Sequence, residues 1–319
     1  MIISIMTNLK IINGQFYING SPANNGDNLK QGRLLGVCTD LCAFFHTSEF
    51  RGNLKYMRDA GINIFSASFQ SPNPSGEYYK KSREQDKNLL SFSSFSHSSA
   101  HSGSAINCGG DLDYDFLAGL ELTVKTADSL GLAVLINILD SSREYIFTDE
   151  FAVITGIFNA ADWLISKKFT NVIVNLTNIS HTFYKSSVLN GEKFINIFKD
   201  IKNSAGDNLI LGAGLKSFAK IGADSLGMYI GCSDFIPIYS VNYKTHSTKK
   251  MLDNIYFFKS RTDAPVIMAK GDDLSDRYNS YGKNSMTEAF ENNISWFYYN
   301  LDKLGLEPVD WSFFQSFKL

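Results

Sequence analysis

Short β-branched and aromatic runs alternate along this chain with longer segments whose apolar residues recur every three to four positions. Leu34–Cys38 reads as the first strand of this rhythm, and Glu49–Ala60 as the helix after it, stopped by Gly61. Seven more strands are expected at Ile62–Phe69, Ala133–Ile138, Val172–Leu176, Leu209–Leu211, Phe235–Val241, Pro265–Ala269 and Ser295–Tyr299. Between them the pattern predicts helices over Tyr114–Leu130, Asp149–Lys168, Glu192–Ser204, Ser217–Ile221, Ser247–Ser260 and Ser285–Asn292. In the helix from Asp149, the residues Phe151, Ile154, Phe158, Ala161, Trp163 and Leu164 fall on one side. Eight strands alternating with helices predict an α/β fold, a (β/α)8 TIM barrel spanning residues 1–319 as one domain. An open doubly wound sheet is the alternative. It would want a glycine-rich phosphate loop after the first strand, and neither GxGxxG nor a Walker sequence is present.

Two segments stand outside the rhythm. Lys10 to Gly20 reads as an N-terminal β-hairpin with Asn13-Gly14 and Asn19-Gly20 as turns, expected to cover the N-terminal end of the barrel. Residues 71–113 form a long insertion after the second strand, rich in serine between Ser91 and Ser104. A loop of this length is expected to be functional, a contact surface for a protein partner being one use. His97 and His101 have the spacing of a metal pair on a helix, but in such a loop they read as exposed histidines, and no metal site is expected.

Composition narrows the partners more than the fold. Net charge is −2 with no long block of one sign, which argues against nucleic acid or an anionic membrane. No apolar run approaches the roughly 18 residues of a membrane span, and the apolar opening at Met1–Met6 is too short for a signal peptide. Cys38, Cys42, Cys108 and Cys232 complete no zinc set and read as reduced thiols, so a cytoplasmic location is expected. Three glycosylation triplets, starting at Asn175, Asn178 and Asn293, lie in or beside predicted strands and read as chance matches. No cofactor is implied.

The order of segments resembles the cellulase-like barrels of glycoside hydrolase clan A, near family 5. The resemblance begins at Gly14-Gln15-Phe16-Tyr17-Ile18-Asn19-Gly20-Ser21-Pro22, similar to that family's opening hairpin, and continues through Ala60-Gly61-Ile62-Asn63 and Gln70. Asp149–Val153 with Ala161-Asp162-Trp163-Leu164 resembles the helix before the acid-bearing strand, and Ser295-Trp296-Phe297-Tyr298-Tyr299 resembles strand 8. Trp311 falls in the region where that family closes its barrel.

The resemblance implies two catalytic carboxyls, one protonating the leaving oxygen and the other attacking from about 5 Å away. It places the acid after the Asn ending strand 4 and the nucleophile at the end of strand 7. Here those positions hold Ile179, after Asn178, and Lys270. Isoleucine transfers no proton, and lysine attacks carbonyls rather than acetal carbons. The expectation is therefore a catalytically inactive, glycoside-hydrolase-like barrel. It would bind a carbohydrate at the C-terminal ends of its strands through Gln70, Asn137, Asn178, Tyr239, Trp296 and Tyr298. Three alternatives remain: an active glycosidase rebuilt on Asp272, Asp273 or Asp140, a Lys270 Schiff-base enzyme, and a scaffold using the 71–113 loop.

Overall fold

Asn13-Gly14 and Asn19-Gly20 each put two consecutive residues at positive φ (50° and 71°, 53° and 81°) in the computed structural model. Paired positive φ values match the twist of a two-residue hairpin turn, and Asn-Gly adopts them at least cost. These turns join β1 (Leu9–Ile12), β2 (Gln15–Ile18) and β3 (Ser21–Pro22) into a small antiparallel sheet, with Leu9 opposite Ile18 and Tyr17 opposite Pro22. Gly14 has a second reason to be glycine: an added Cβ would lie 2.4 Å from the carbonyl oxygen of Asp263. The structure describes residues 6–38, 48–70, 104–140, 144, 146–178, 186–189, 191–214, 223–239, 256–270, 286–287 and 289–299.

The barrel strands are β4 (Leu35–Cys38), β5 (Ile64–Ser68), β6 (Ala133–Asp140), β7 (Val172–Asn178), β8 (Ile210–Gly212), β9 (Ile236–Tyr239), β10 (Val266–Lys270) and β11 (Ile294–Tyr299). All neighbouring pairs are parallel, in the order β8-β7-β6-β5-β4-β11-β10-β9. The gap between β8 and β9 is bridged at one residue. The Asp234 N–H donates to the Leu211 carbonyl (2.8 Å), and the Asp234 carboxylate accepts from the Leu211 N–H (2.8 Å) and from Lys202 Nζ (2.5 Å). The result is a nearly closed eight-stranded parallel barrel, as the strand rhythm predicts.

Helices α1 (Ser48–Asp59), α2 (Tyr114–Ser129), α3 (Glu150–Lys167), α4 (Gly191–Ala205) and α5 (Ala223–Cys232) surround it. Asp113 caps α2 by accepting from the Asp115 and Phe116 N–H groups, and Asp149 caps α3 through the Ala152 N–H. Residues 256–259 and most of 286–291 are helical ahead of β10 and β11. The helix expected at Ser217–Ile221 lies outside the described residues, and α5, after it, is not among the elements expected from the sequence. Its Gly227 and Gly231 weaken the helical signal, and packing of Tyr229 and Ile230 into the core overrides it.

Strand alternation divides the core in two. Outward residues such as Val134, Ile136, Val174, Leu176, Val266 and Met268 meet the helices. Inward residues Ile64, Ala133, Leu135, Ile173, Ile267, Ala269 and Phe297 fill the N-terminal half of the lumen. Leu9, Phe16, Ala23 and Leu34 join them from below, so the hairpin plugs that end of the barrel. Both β6 and β7 run two residues past their expected ends, pairing Leu139 with Thr177 and Asp140 with Asn178. Polar residues at their tips conceal the extension from apolar patterning.

Candidate functional site

The C-terminal half of the lumen is polar. Three strands carry the change at alternate positions: Ser66 and Ser68 on β5, Asn137 on β6, Asn175 and Thr177 on β7. Each is at most 3% exposed, so each needs an internal partner. Ser66 Oγ donates to Cys38 Sγ at 3.3 Å. Asn175 Nδ2 donates to Asn137 Oδ1 at 2.7 Å, and Asn137 Nδ2 reaches Ser68 Oγ at 3.4 Å. Neutral polar side chains therefore lie above the apolar plug from β4 to β7, those of Ser68, Asn137 and Asn175 forming a hydrogen-bonded ladder from β5 to β7. Of these polar residues, Ser66, Ser68, Asn175 and Thr177 are absent from the site expected on sequence grounds. A signal for them does exist: isolated polar residues at period two inside Phe65-Ser66-Ala67-Ser68-Phe69-Gln70 and Val174-Asn175-Leu176-Thr177.

Gln70 continues the alternation just past β5. Phe69 before it faces α3, where its ring meets Trp163 edge-on at 5.7 Å. Gln70 Oε1 accepts the N–H of Asp140 at 3.0 Å, and Gln70 forms an isolated antiparallel bridge with Ser104. A buried amide donor left unpaired costs about 1–3 kcal/mol, and Gln70 Nε2 is such a donor. Segment 104–113 is fastened in turn to α3. The Gly110 carbonyl accepts from Asn159 Nδ2 at 3.0 Å, and an added Cβ at Gly110 would stand 2.5 Å from the Ala152 carbonyl oxygen. The Cys108 carbonyl accepts the Thr148 N–H at 3.0 Å.

Past β7, two carboxylates hold the returning chain. Glu144 accepts from the Ser186 N–H, and Glu150 accepts from the Ser187 N–H at 2.6 Å and from Ser186 Oγ at 3.3 Å. Hydrogen bonds from Ser187, with help from the charge of Lys193, hold the Glu150 carboxyl below the usual glutamate range.

The remaining expected site residues separate. Asn178 stands opposite Asp140 in the β6–β7 register, and Tyr239 stands opposite Lys270 across a register shift between β9 and β10. The backbones of Asn178, Tyr239, Lys270 and Tyr298 are described; their side chains are not. Ile179, Asp272 and Asp273 lie outside the described residues, as do His97 and His101. Asp140 is buried at the tip of β6.

Trp296 does not line a cleft. It pairs with Leu35 and Met268 and packs in the helix-facing layer, 1% exposed, while Phe297 beside it points into the lumen. The expectation of a stacking platform there is corrected by strand parity: one residue's step moves a side chain to the opposite face. Among the described residues no three His, Cys, Asp or Glu side chains gather as metal ligands. No helix among them is long and apolar enough to cross a membrane.

No protein-family model matches the chain, and no curated protein matches it in sequence. Solved structures do match in shape. The β-mannanase of the blue mussel Mytilus edulis superposes with a TM-score of 0.60 at 10% identity, over 98% of this chain and 95% of that one. The endo-1,4-β-mannanase of Rhizomucor miehei gives 0.55 at 12%, over 92% and 90%. The β-mannanase of Thermomonospora fusca gives 0.58 at 11%, over 94% and 86%. Identities this low show the fold alone: an eight-stranded parallel TIM barrel with surrounding helices.

Proposed function

We propose that this barrel binds a neutral carbohydrate at the C-terminal ends of its strands and does not hydrolyse it. The observation that carries the binding half is the division of the lumen. Its N-terminal half is apolar and plugged, whereas its C-terminal half holds buried hydroxyl and amide groups from β5, β6 and β7, a polar floor beneath the strand ends. Such neutral groups suit the hydroxyls of a sugar. The solved β-mannanases of the same shape support a β-mannan or manno-oligosaccharide as the first ligand to try. Gln70, Asn137 and Tyr239, at lumen-facing positions of their strands, are the proposed contacts, with Asn137 acting from the floor of the cleft.

The inactivity half rests on residue identity. Lys270 ends β10 and Ile179 follows β7, so neither carboxyl of the two-carboxylate mechanism stands at its expected position. A glycan array with the full chain tests the proposal: binding concentrated on mannose-containing oligosaccharides supports it, and absence of binding across the array refutes it. One observation favours a second function, that of a rebuilt hydrolase: Asp140 ends β6 directly opposite Asn178. Turnover of aryl glycosides that disappears in Asp140→Asn would establish that function instead.

A further inference from the structure

One amide nitrogen at the rim of the polar floor, Gln70 Nε2, has no hydrogen-bond partner. Gln70 Oε1 faces the Asp140 N–H, which fixes which end of the amide is which: a flipped amide would set NH2 against N–H. The NH2 group is thereby turned away from Asp140, and it has no hydrogen-bond partner although the residue is only 1% exposed. The side chain is not at liberty to swing toward water. Its backbone is held by the Ser104 bridge and by the Phe69 N–H to Asn137 carbonyl bond at 2.8 Å, and the Ala105 N–H binds the Phe69 carbonyl at 2.6 Å. A second buried side-chain amide nitrogen without a partner among the described residues, Asn63 Nδ2, lies elsewhere: Asn63 Oδ1 accepts the Leu35 N–H ahead of β5, at the plugged end of the barrel. Of these two amide nitrogens, Gln70 Nε2 is the one at the C-terminal ends of the strands, two residues beyond Ser68 of the Ser68–Asn137–Asn175 ladder.

We propose that Gln70 Nε2 is the specificity-determining donor of the cleft, giving a hydrogen bond to an acceptor oxygen of the bound sugar. This rests on the carbohydrate-binding function proposed above and adds a direction to it. An amide NH2 donates and cannot accept, so the ligand must present a hydroxyl or ring oxygen at this point. A sugar carrying hydrogen or a protonated amine there leaves the donor unpaired, and sites built around a buried donor discriminate steeply against such analogues.

The test is calorimetric titration of the full chain with mannohexaose, comparing wild type with Gln70→Glu and Gln70→Met. Glutamate keeps the acceptor for the Asp140 N–H and loses the donor. Methionine keeps the length and removes both. The expected result is binding at least tenfold weaker in both variants, with melting temperatures close to wild type in at least one. Equal affinity in wild type and a folded variant overturns the inference, assigns Nε2 to an internal water, and leaves carbohydrate binding intact. Absence of binding by the wild-type chain to mannohexaose and to a full glycan array overturns both.

Discussion

Replacing Asn137 with leucine isolates the coupling on which the polar floor depends. Asn137 is buried, accepts from Asn175 Nδ2 at 2.7 Å and donates to Ser68 Oγ at 3.4 Å. The second contact is at the limit of a hydrogen bond and contributes little. The first is short and sheltered, and its loss leaves the fully buried Asn175 amide without that acceptor. A buried side-chain hydrogen bond contributes about 1 kcal/mol net, so Asn137→Leu should lower unfolding stability by about 1 kcal/mol. Leucine has the branching and heavy-atom count of asparagine with bulkier methyl groups, so none of this comes from a cavity. Asn175→Leu should cost a similar amount by removing the donor that Asn137 Oδ1 faces. The double variant replaces both partners by apolar groups, and it should cost less than the sum of the singles by at least about 1 kcal/mol. Equilibrium denaturation in guanidinium, followed by fluorescence and circular dichroism together to check for coincident transitions, measures all four corners of the cycle. Strict additivity would refute the ladder as a coupled network.

Four further outcomes follow from single contacts. Gly110→Ala should cost more than about 1 kcal/mol, because φ is +91° and the new Cβ meets the Ala152 carbonyl at 2.5 Å; thermal melting measures it. Asp234→Ala removes the acceptor that ties β8 to the entry of β9 and should lower stability by about 1–3 kcal/mol, with faster amide exchange at Leu211. Tyr229→Phe deletes the buried hydroxyl bonded to the Ala213 carbonyl and should cost about 1 kcal/mol by denaturant titration. The Glu150 clamp is pH-dependent: its carboxyl is depressed in the folded protein, so its contribution is full above the ordinary glutamate value of about 4.3 and fades as pH falls through the lower folded value. Glu150→Gln should reproduce at neutral pH the loss of Ser187 amide protection, relative to the intrinsic exchange rate at each pH, that acid produces in the wild type.

The barrel is legible in the sequence because its strands are buried on both faces and its helices are not. Val172-Ile173-Val174 and Val266-Ile267-Met268 are continuous apolar runs, and such runs between amphipathic segments mark a parallel sheet covered by helices. The same property hides which residues face inward. Ser295-Trp296-Phe297-Tyr298-Tyr299 offers no polar-apolar alternation after its serine, so nothing in it says that Phe297 enters the lumen and Trp296 leaves it. Where polar residues do alternate, on β5 and β7, the pattern names the floor directly. Gln70 and Asn137 are both recognisable as polar tips of apolar strands. The unpaired state of Gln70 Nε2 is not, because it depends on where the Asp140 N–H arrives from another strand.

The central claim, binding without hydrolysis, is tested most directly by incubating the full chain with mannohexaose and following bound ligand and released reducing ends in the same sample. The account predicts saturable binding and no reducing ends above the buffer control at any protein concentration. Reducing ends released in proportion to wild-type protein, and abolished by Asp140→Asn, would contradict it.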